Sequence, residues 1–451
     1  MNKETKNQAK KKSVVSMPIV NVDAAGIDVS ANMHAVAVPI DRDTENVKQF
    51  GAFTEDLLAI ATWLKRCQIS TVAMESTGVY WKQLYLVLLD HGFEVSLVNA
   101  KHVKNVTGRK TDMDDAQWIQ KLHSCGLLKS SFLPDAATEN LRSLVRHRKR
   151  LLEDSAKYVL RMQKALELMN IKIHSVINDL MGKTGTAIIK AILQGEREPE
   201  NFLQFVDGRI KADHETIKKS LTGNWHNEHL FILAENYELY TFIQKRIICC
   251  EGKIEECLQK QLAVHNEGII EAVTNSLQKA NKKKTKNQPL FNVKDYLIKI
   301  HGVDVTEIYG INEGTALEIL SETGNLSAWE NEDKFVSWLN LCPNNKITGG
   351  KLISSMVMKR KAGNATQAFR AAANSVQRSD NWLGDYFRRM KAKGGNKYAI
   401  IAVARKLAII YYKMVTEKQS FKPVNFDDYR EKHKKARIAY LERQLAKLQR
   451  A

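Results

Sequence analysis

The chain has 451 residues, about two to three times the usual domain size, so it can bury a substantial core and should divide into more than one unit. Its 69 Lys and Arg against 50 Asp and Glu give a formal charge of +19, which favours a polyanion such as nucleic acid over a small acidic substrate. No apolar run of about 18 residues and no secretory leader are visible, so the sequence predicts a soluble intracellular protein with no membrane partner.

Residues 1–20 are lysine-rich without periodicity and read as a disordered basic arm. From Ala24, "AAGIDVSANMHAVAVPI" reads as a β-hairpin broken at Ser30 to Asn32. "TEDLLAIATWLKRC" predicts a helix with Thr54 as N-cap and Leu57, Ala61 and Leu64 on one face. "ISTVAMES" is a β-branched strand ending at Glu75. "TGVYWKQLYLVLLDHG" is a helix with Tyr80, Leu84, Val87 and Leu88 at helical spacing and Gly92 at its end, and "FEVSLVN" is another strand. After the basic loop "AKHVKNVTGRK", an acidic helix starts at "TDMDDAQWIQKL". Residues 21–136 therefore predict a mixed α/β domain.

Residues 137–290 are expected to be a helical, coiled-coil-like connector and linker. Leu141, Leu144, Leu151, Leu152, Val159, Met162, Leu166 and Met169 form one long stripe, and a second helix near Glu228 to Val264 is available to pair with it. "KANKKKTKNQP" reads as the linker. Residues 291–421 read as all-α, and 422–451 as a basic helical tail. The six cysteines lack any C-x-x-C pair or zinc spacing and read as free thiols.

Asp28 and Glu75 end two strand patterns, and Asp112 and Asp115 stand three apart on a helix start, hence on one face. Four converging carboxylates would repel one another without cations, and two Mg²⁺ ions roughly 3.5 to 4 Å apart would offset this while clamping a phosphodiester. Lys101, Lys104, Arg109 and Lys110 are then candidates for holding phosphates. Acids in a first helical turn also complement the helix dipole and cap its N–H groups, so each acid alone has a purely structural explanation.

The stretches "GIDVS", "MESTGVYW", "GRKTDMDDA", "YGINEGTALEILSETG", "FVSWLNLCPNNKITGGK", "KAGN" and "FRAAANSV", in that order, resemble the DEDD transposases of the insertion sequence 110 family, most of all its 1111 branch of bridge-RNA-guided recombinases. The resemblance implies a RuvC-like, RNase H-type N-terminal domain, a coiled-coil connector and an all-α C-terminal transposase domain with a helix-hairpin-helix-like motif. It further implies Mg²⁺ as cofactor, with Mn²⁺ as a substitute, and an element-encoded guide RNA with donor and target DNA as partners. A tetramer of two dimers with composite active sites, in the cytoplasm of a bacterium or archaeon and at the nucleoid when active, completes the expectation.

Within "YGINEGTALEILSE", Gly310 permits a tight turn before a helix whose N–H groups can bind phosphate, and Asn312, where many relatives have glycine, tolerates a left-handed backbone. The family's serine nucleophile before Gly-Gly-Lys is replaced here by Thr348, which keeps the hydroxyl but adds a methyl group. Gly349 and Gly350 allow a phosphate to approach and Lys351 can balance its charge, while Ser354 and Ser355 are substitute nucleophiles. The alternative reading is a RuvC-like nuclease or junction resolvase using the same acids with water as nucleophile. A non-catalytic nucleic-acid-binding protein is a third.

Overall fold

The computed structural model describes residues 18–75, 78–98, 112–265, 287–357 and 362–449, with the side chains of 112–114, 264–265 and 447–448 outside the description. The chain forms two compact units, one ending at Leu133 and the other beginning at Pro134.

The first unit is built on five strands: β1 (Ala24–Val29), β2 (Met33–Ala37), β3 (Val47–Gly51), β4 (Thr71–Glu75) and β5 (Glu94–Val98). Their order is β3-β2-β1-β4-β5, antiparallel across the first three and parallel from β1 to β5. The expected hairpin is β1–β2. The hairpin reading did not extend to β3: "VKQFG" is short, with Lys48 and Gln49 interrupting its apolar residues, and it is a strand because β2 offers it an edge. Helices α1 (Thr54–Arg66), α2 (Trp81–Asp90) and α3 (Asp112–Ser124) complete the unit. The N-cap of α1 is Phe53, not Thr54, because the Asp56 carboxylate accepts the Phe53 N–H at 3.0 Å and starts the helix one residue earlier. Tyr80 stands at the N-cap position of α2, outside the helix and half exposed, whereas Leu84 and Leu88 are buried.

Strand alternation divides this unit by residue size. Ile27, Val29, Val36, Val38, Val72 and Met74 point to one face, where Leu57, Ile60, Leu64, Leu84 and Leu88 of α1 and α2 cover them. The opposite face presents Ala35, Ala37 and Ala73, with Val47 and Val98, against Ala116 and Ile119 of α3. Small side chains let α3 lie almost on the strands. A Cβ at Gly26 would stand 2.1 Å from the Gln120 backbone nitrogen.

In the second unit, α4 (Ala136–Leu168, 33 residues) and α7 (Asn227–His265, 39 residues) pack along each other. They run antiparallel: Arg148 meets Glu251 at 2.7 Å while Gln244 donates to Ser155 at 2.7 Å. The expected stripe on α4 is present, but Leu144, Leu152 and Val159 are only half-buried, and Arg142, Val145 and Arg148 take inward positions on the same face. Between these helices, α5 (Lys183–Leu193) and α6 (His214–Ser220) close a core around Met162, Leu166, Ile189 and Phe202.

The rest of the unit comprises α8 (Val293–His301), α9 (Glu313–Thr323), α10 (Glu332–Trp338), a hairpin of β6 (Asn344–Thr348) and β7 (Lys351–Met356), then α11 (Asn364–Ser375), α12 (Trp382–Glu417) and α13 (Phe426–Leu448). The all-α expectation is thus corrected: Gly349-Gly350 between alternating residues forms a two-residue turn, with φ of 53° and 76°, that only a hairpin accommodates well. The basic tail is helical, as α13. Most of the linker sequence lies outside the described residues.

Candidate active site

The register Ile27↔Met74, continued by one residue, sets Asp28 of β1 beside Glu75 of β4, on strands about 4.8 Å apart. By alternation Asp28 follows Gly26 and Glu75 follows Ala73, so both carboxylates belong to the α3 face. Glu75 is buried, at 6% exposure, and Asp28 half-buried.

Helix α3 runs against the direction of β1. Its last residue, Ser124, accepts the N–H groups of Val20 and Asn21 at 2.8 and 2.9 Å, and the Gln120 amide donates to the Ala24 carbonyl at 3.3 Å. His123 meets the Thr71 hydroxyl at 2.9 Å, at the start of β4. The beginning of α3 therefore lies toward the ends of β1 and β4 that carry Asp28 and Glu75. Half-buried Asp115 precedes the sheet-packed Ala116, and Asp112 is one turn before Ala116. The fold brings Asp28, Glu75 and the first turn of α3 to one end and one face of the sheet.

The donors here are all carboxylate oxygens, the kind Mg²⁺ prefers. Among the described residues, no three acidic, histidine or cysteine side chains stand close enough together to hold an ion. The side chain of Asp112, and the loop residues Lys101, Lys104, Arg109 and Lys110, lie outside the described residues.

In the second unit Thr348 is exposed at the tip of its hairpin, paired with Lys351 across Gly349-Gly350. A Cβ on either glycine would meet nothing within 4 Å. Ser354 lies about 10 Å along the hairpin from Lys351, and the Ser355 hydroxyl donates to Asn345 at 2.7 Å. Thr348 is the hydroxyl at the tip.

Gly310 has the expected left-handed backbone, φ 85°, and a reason of its own: a Cβ there would stand 2.6 Å from the Ala372 carbonyl oxygen at the end of α11. Asn312 is not left-handed. It is extended, φ −97°, and its side chain accepts the Thr315 N–H at 2.9 Å as the N-cap of α9.

The sequence reading missed a buried clasp. Glu322, at the end of α9, takes Arg146 of α4 through two hydrogen bonds, 2.7 and 2.8 Å, and Asn364 of α11 at 3.0 Å, with Arg142 at 3.5 Å. These cations hold its carboxyl below the usual range although burial pushes the other way. The signal was present in "EILSETG" and "KAGN", which end and begin helices that meet at this point.

A family model described as a DEDD-type IS110 transposase matches residues 25–171, and one described as Transposase IS116/IS110/IS902 family matches 304–388. A search of curated proteins found no match. The first match spans the sheet and its acids, the second the helices and hairpin around Thr348. The chain carries both transposase domains of the IS110 family in their order, and it is accordingly an enzyme of the transposase/recombinase class.

Proposed function

We propose that this transposase is a guided DNA recombinase of the 1111 branch that excises and inserts its own element. Asp28, Glu75, Asp112 and Asp115 would hold Mg²⁺, and Thr348 would act as the nucleophile. The observation that carries the reading is the gathering of Asp28, Glu75 and the first turn of α3 at one sheet end, in the strand order of an RNase H-type domain.

Bound there, the ions would neutralise charge on the scissile phosphate. The Thr348 hydroxyl forms an oxygen–phosphorus bond, and the bridging oxygen leaves as the hydroxyl of the cut strand, taking up a proton in exchange for the one threonine releases. A strand-end hydroxyl then attacks the phosphothreonine and restores Thr348, so the cut is exchanged without hydrolysis. Lys351, paired with Thr348, can balance the phosphate charge. Guide RNA pairing would choose the sites, leaving the basic protein to contact backbone. A tetramer of two dimers in a prokaryotic cytoplasm fits this task.

The test is reconstitution of purified protein with flanking RNA, Mg²⁺ and donor and target duplexes, trapping protein-DNA adducts. Thr348→Ser should retain the adduct and Thr348→Ala lose it, while Asp28→Asn should reduce strand cutting by about 10²-fold or more. Undiminished adduct in Thr348→Ala would remove threonine from the mechanism. Cutting without any adduct would point to water as the nucleophile, and exchange without RNA would remove the guide.

A further inference from the structure

Helix α12 is broken at Gly395, where φ is 80° and ψ 178°. Gly394 lies under Tyr398, close enough that a Cβ would stand 2.7 Å from the ring. The two halves of the helix, the end of β7 and the residues Leu341 and Pro343 line a half-open cavity of about 660 Å³. Tyr386 comes from before the break, Tyr398, Ile401, Arg405 and Lys406 from after it, and Met356 from β7.

The walls combine an apolar floor, two phenol rings and cations without an internal counter-ion. Among the described residues Lys406 makes no ion pair, and its ammonium lies 5.0 Å from the Tyr386 ring centre and 6.0 Å from that of Trp382. Burial and the nearby Arg389 and Arg405 lower its pKa, as expected where positive charge lacks an anion. Arg389 is committed to Asp385 at 3.1 Å and to Tyr429 and His433, and Arg405 reaches only an exposed Asp333 at 3.3 Å. A bare phosphate would leave most of this volume and its apolar lining unused. A planar heterocycle joined to a phosphate uses all three features, because every base has a face that stacks on an aromatic ring.

We propose that this cavity binds one unstacked nucleotide of a single strand, its base against Tyr398 and a flanking phosphate on Lys406 and Arg405. The proposal rests on the reading that the chain acts on nucleic acid. Ser355 and Met356 belong to the hairpin that carries Thr348 at its tip, so an occupied cavity touches the base of the proposed nucleophile's own support.

The experiment uses the full chain and a 2-aminopurine-labelled oligonucleotide in three forms: single-stranded DNA, single-stranded RNA of the same sequence, and a fully paired DNA duplex. A single strand should bind with quenched fluorescence, and whichever of the DNA or RNA arms is quenched identifies the strand. Lys406→Gln should weaken that strand about 10-fold and flatten the salt dependence by about one phosphate contact. Ala402→Phe, which fills the cavity and leaves its charge intact, should weaken it equally. Duplex binding should change less than about twofold in both. Tyr398→Leu should abolish quenching. Unquenched single strands, unchanged binding in Ala402→Phe, or equal weakening of duplex and single strand would overturn the proposal. Asp28→Asn, run alongside, separates the two readings: it should stop cutting and leave quenching intact, and if it still cuts, the acidic site fails while the cavity stands.

Discussion

The two hairpins of this protein make an instructive pair. β1–β2 carries Asp28 inside a five-stranded sheet with a helix on each side, and its residues are almost all buried. β6–β7 carries Thr348 on two strands alone, with Ile347, Leu352, Ile353 and Met356 all more than half exposed. Two strands by themselves are only marginally stable in water. The first hairpin fixes a carboxylate by packing from every side, as the metal-holding role proposed for Asp28 would require. The second presents a hydroxyl on a surface with few internal contacts, as the nucleophile role proposed for Thr348 would require.

The largest expected effect would come from challenging the packed hairpin. Gly26→Val places a side chain into the Gln120 backbone, and we expect a loss of more than about 3 kcal/mol, read as loss of soluble folded protein. If the variant folds with normal stability, α3 does not lie on β1 as described. Next comes the buried clasp in the unit that carries the exposed hairpin. Glu322→Gln takes the anion from Arg146 and leaves Arg142 with Glu139 alone, at 3.1 Å, and should cost about 2 kcal/mol in denaturant unfolding.

A smaller, pH-dependent effect belongs to the same unit. His301, at 1% exposure and hydrogen-bonded to Tyr411 at 2.9 Å, has its pKa driven down to about 3 by burial and by Lys418. The folded state keeps it neutral, whereas the unfolded chain takes up a proton below 6.5. Stability should therefore fall as pH drops from 6.5, by about 2 kcal/mol at pH 5. His301→Gln should flatten that slope, and an unchanged slope would assign it to other groups, buried His34 and His123 among them. The smallest effect separates the hairpins most sharply. Gly349→Ala meets no neighbour and strains only its own left-handed backbone, by about 1 kcal/mol. Adduct yield should fall while the melting temperature of the chain drops by no more than about 2 °C.

The sequence by itself determined the elements whose signals are local: the β1–β2 hairpin, strands β4 and β5, the long stripe of α4 and the acidic start of α3. Periodicity and turn chemistry reside in neighbouring residues, so they survive without a fold. What the sequence could not state was which face each strand turned to which helix. Gly26, Ala35, Ala37 and Ala73 are unremarkable in isolation and become a bed for α3 only when β1, β2 and β4 lie side by side. The same holds for Glu322, whose partners are 176 residues away on α4 and 42 away on α11. The β6–β7 turn was legible in "TGGK" but was read as part of a helical domain, because the surrounding periodicity is helical. Adjacency between Asp28 and Glu75 was a tertiary decision, made by parallel pairing across 47 residues, since only pairing of strands converts two distant strand ends into one place.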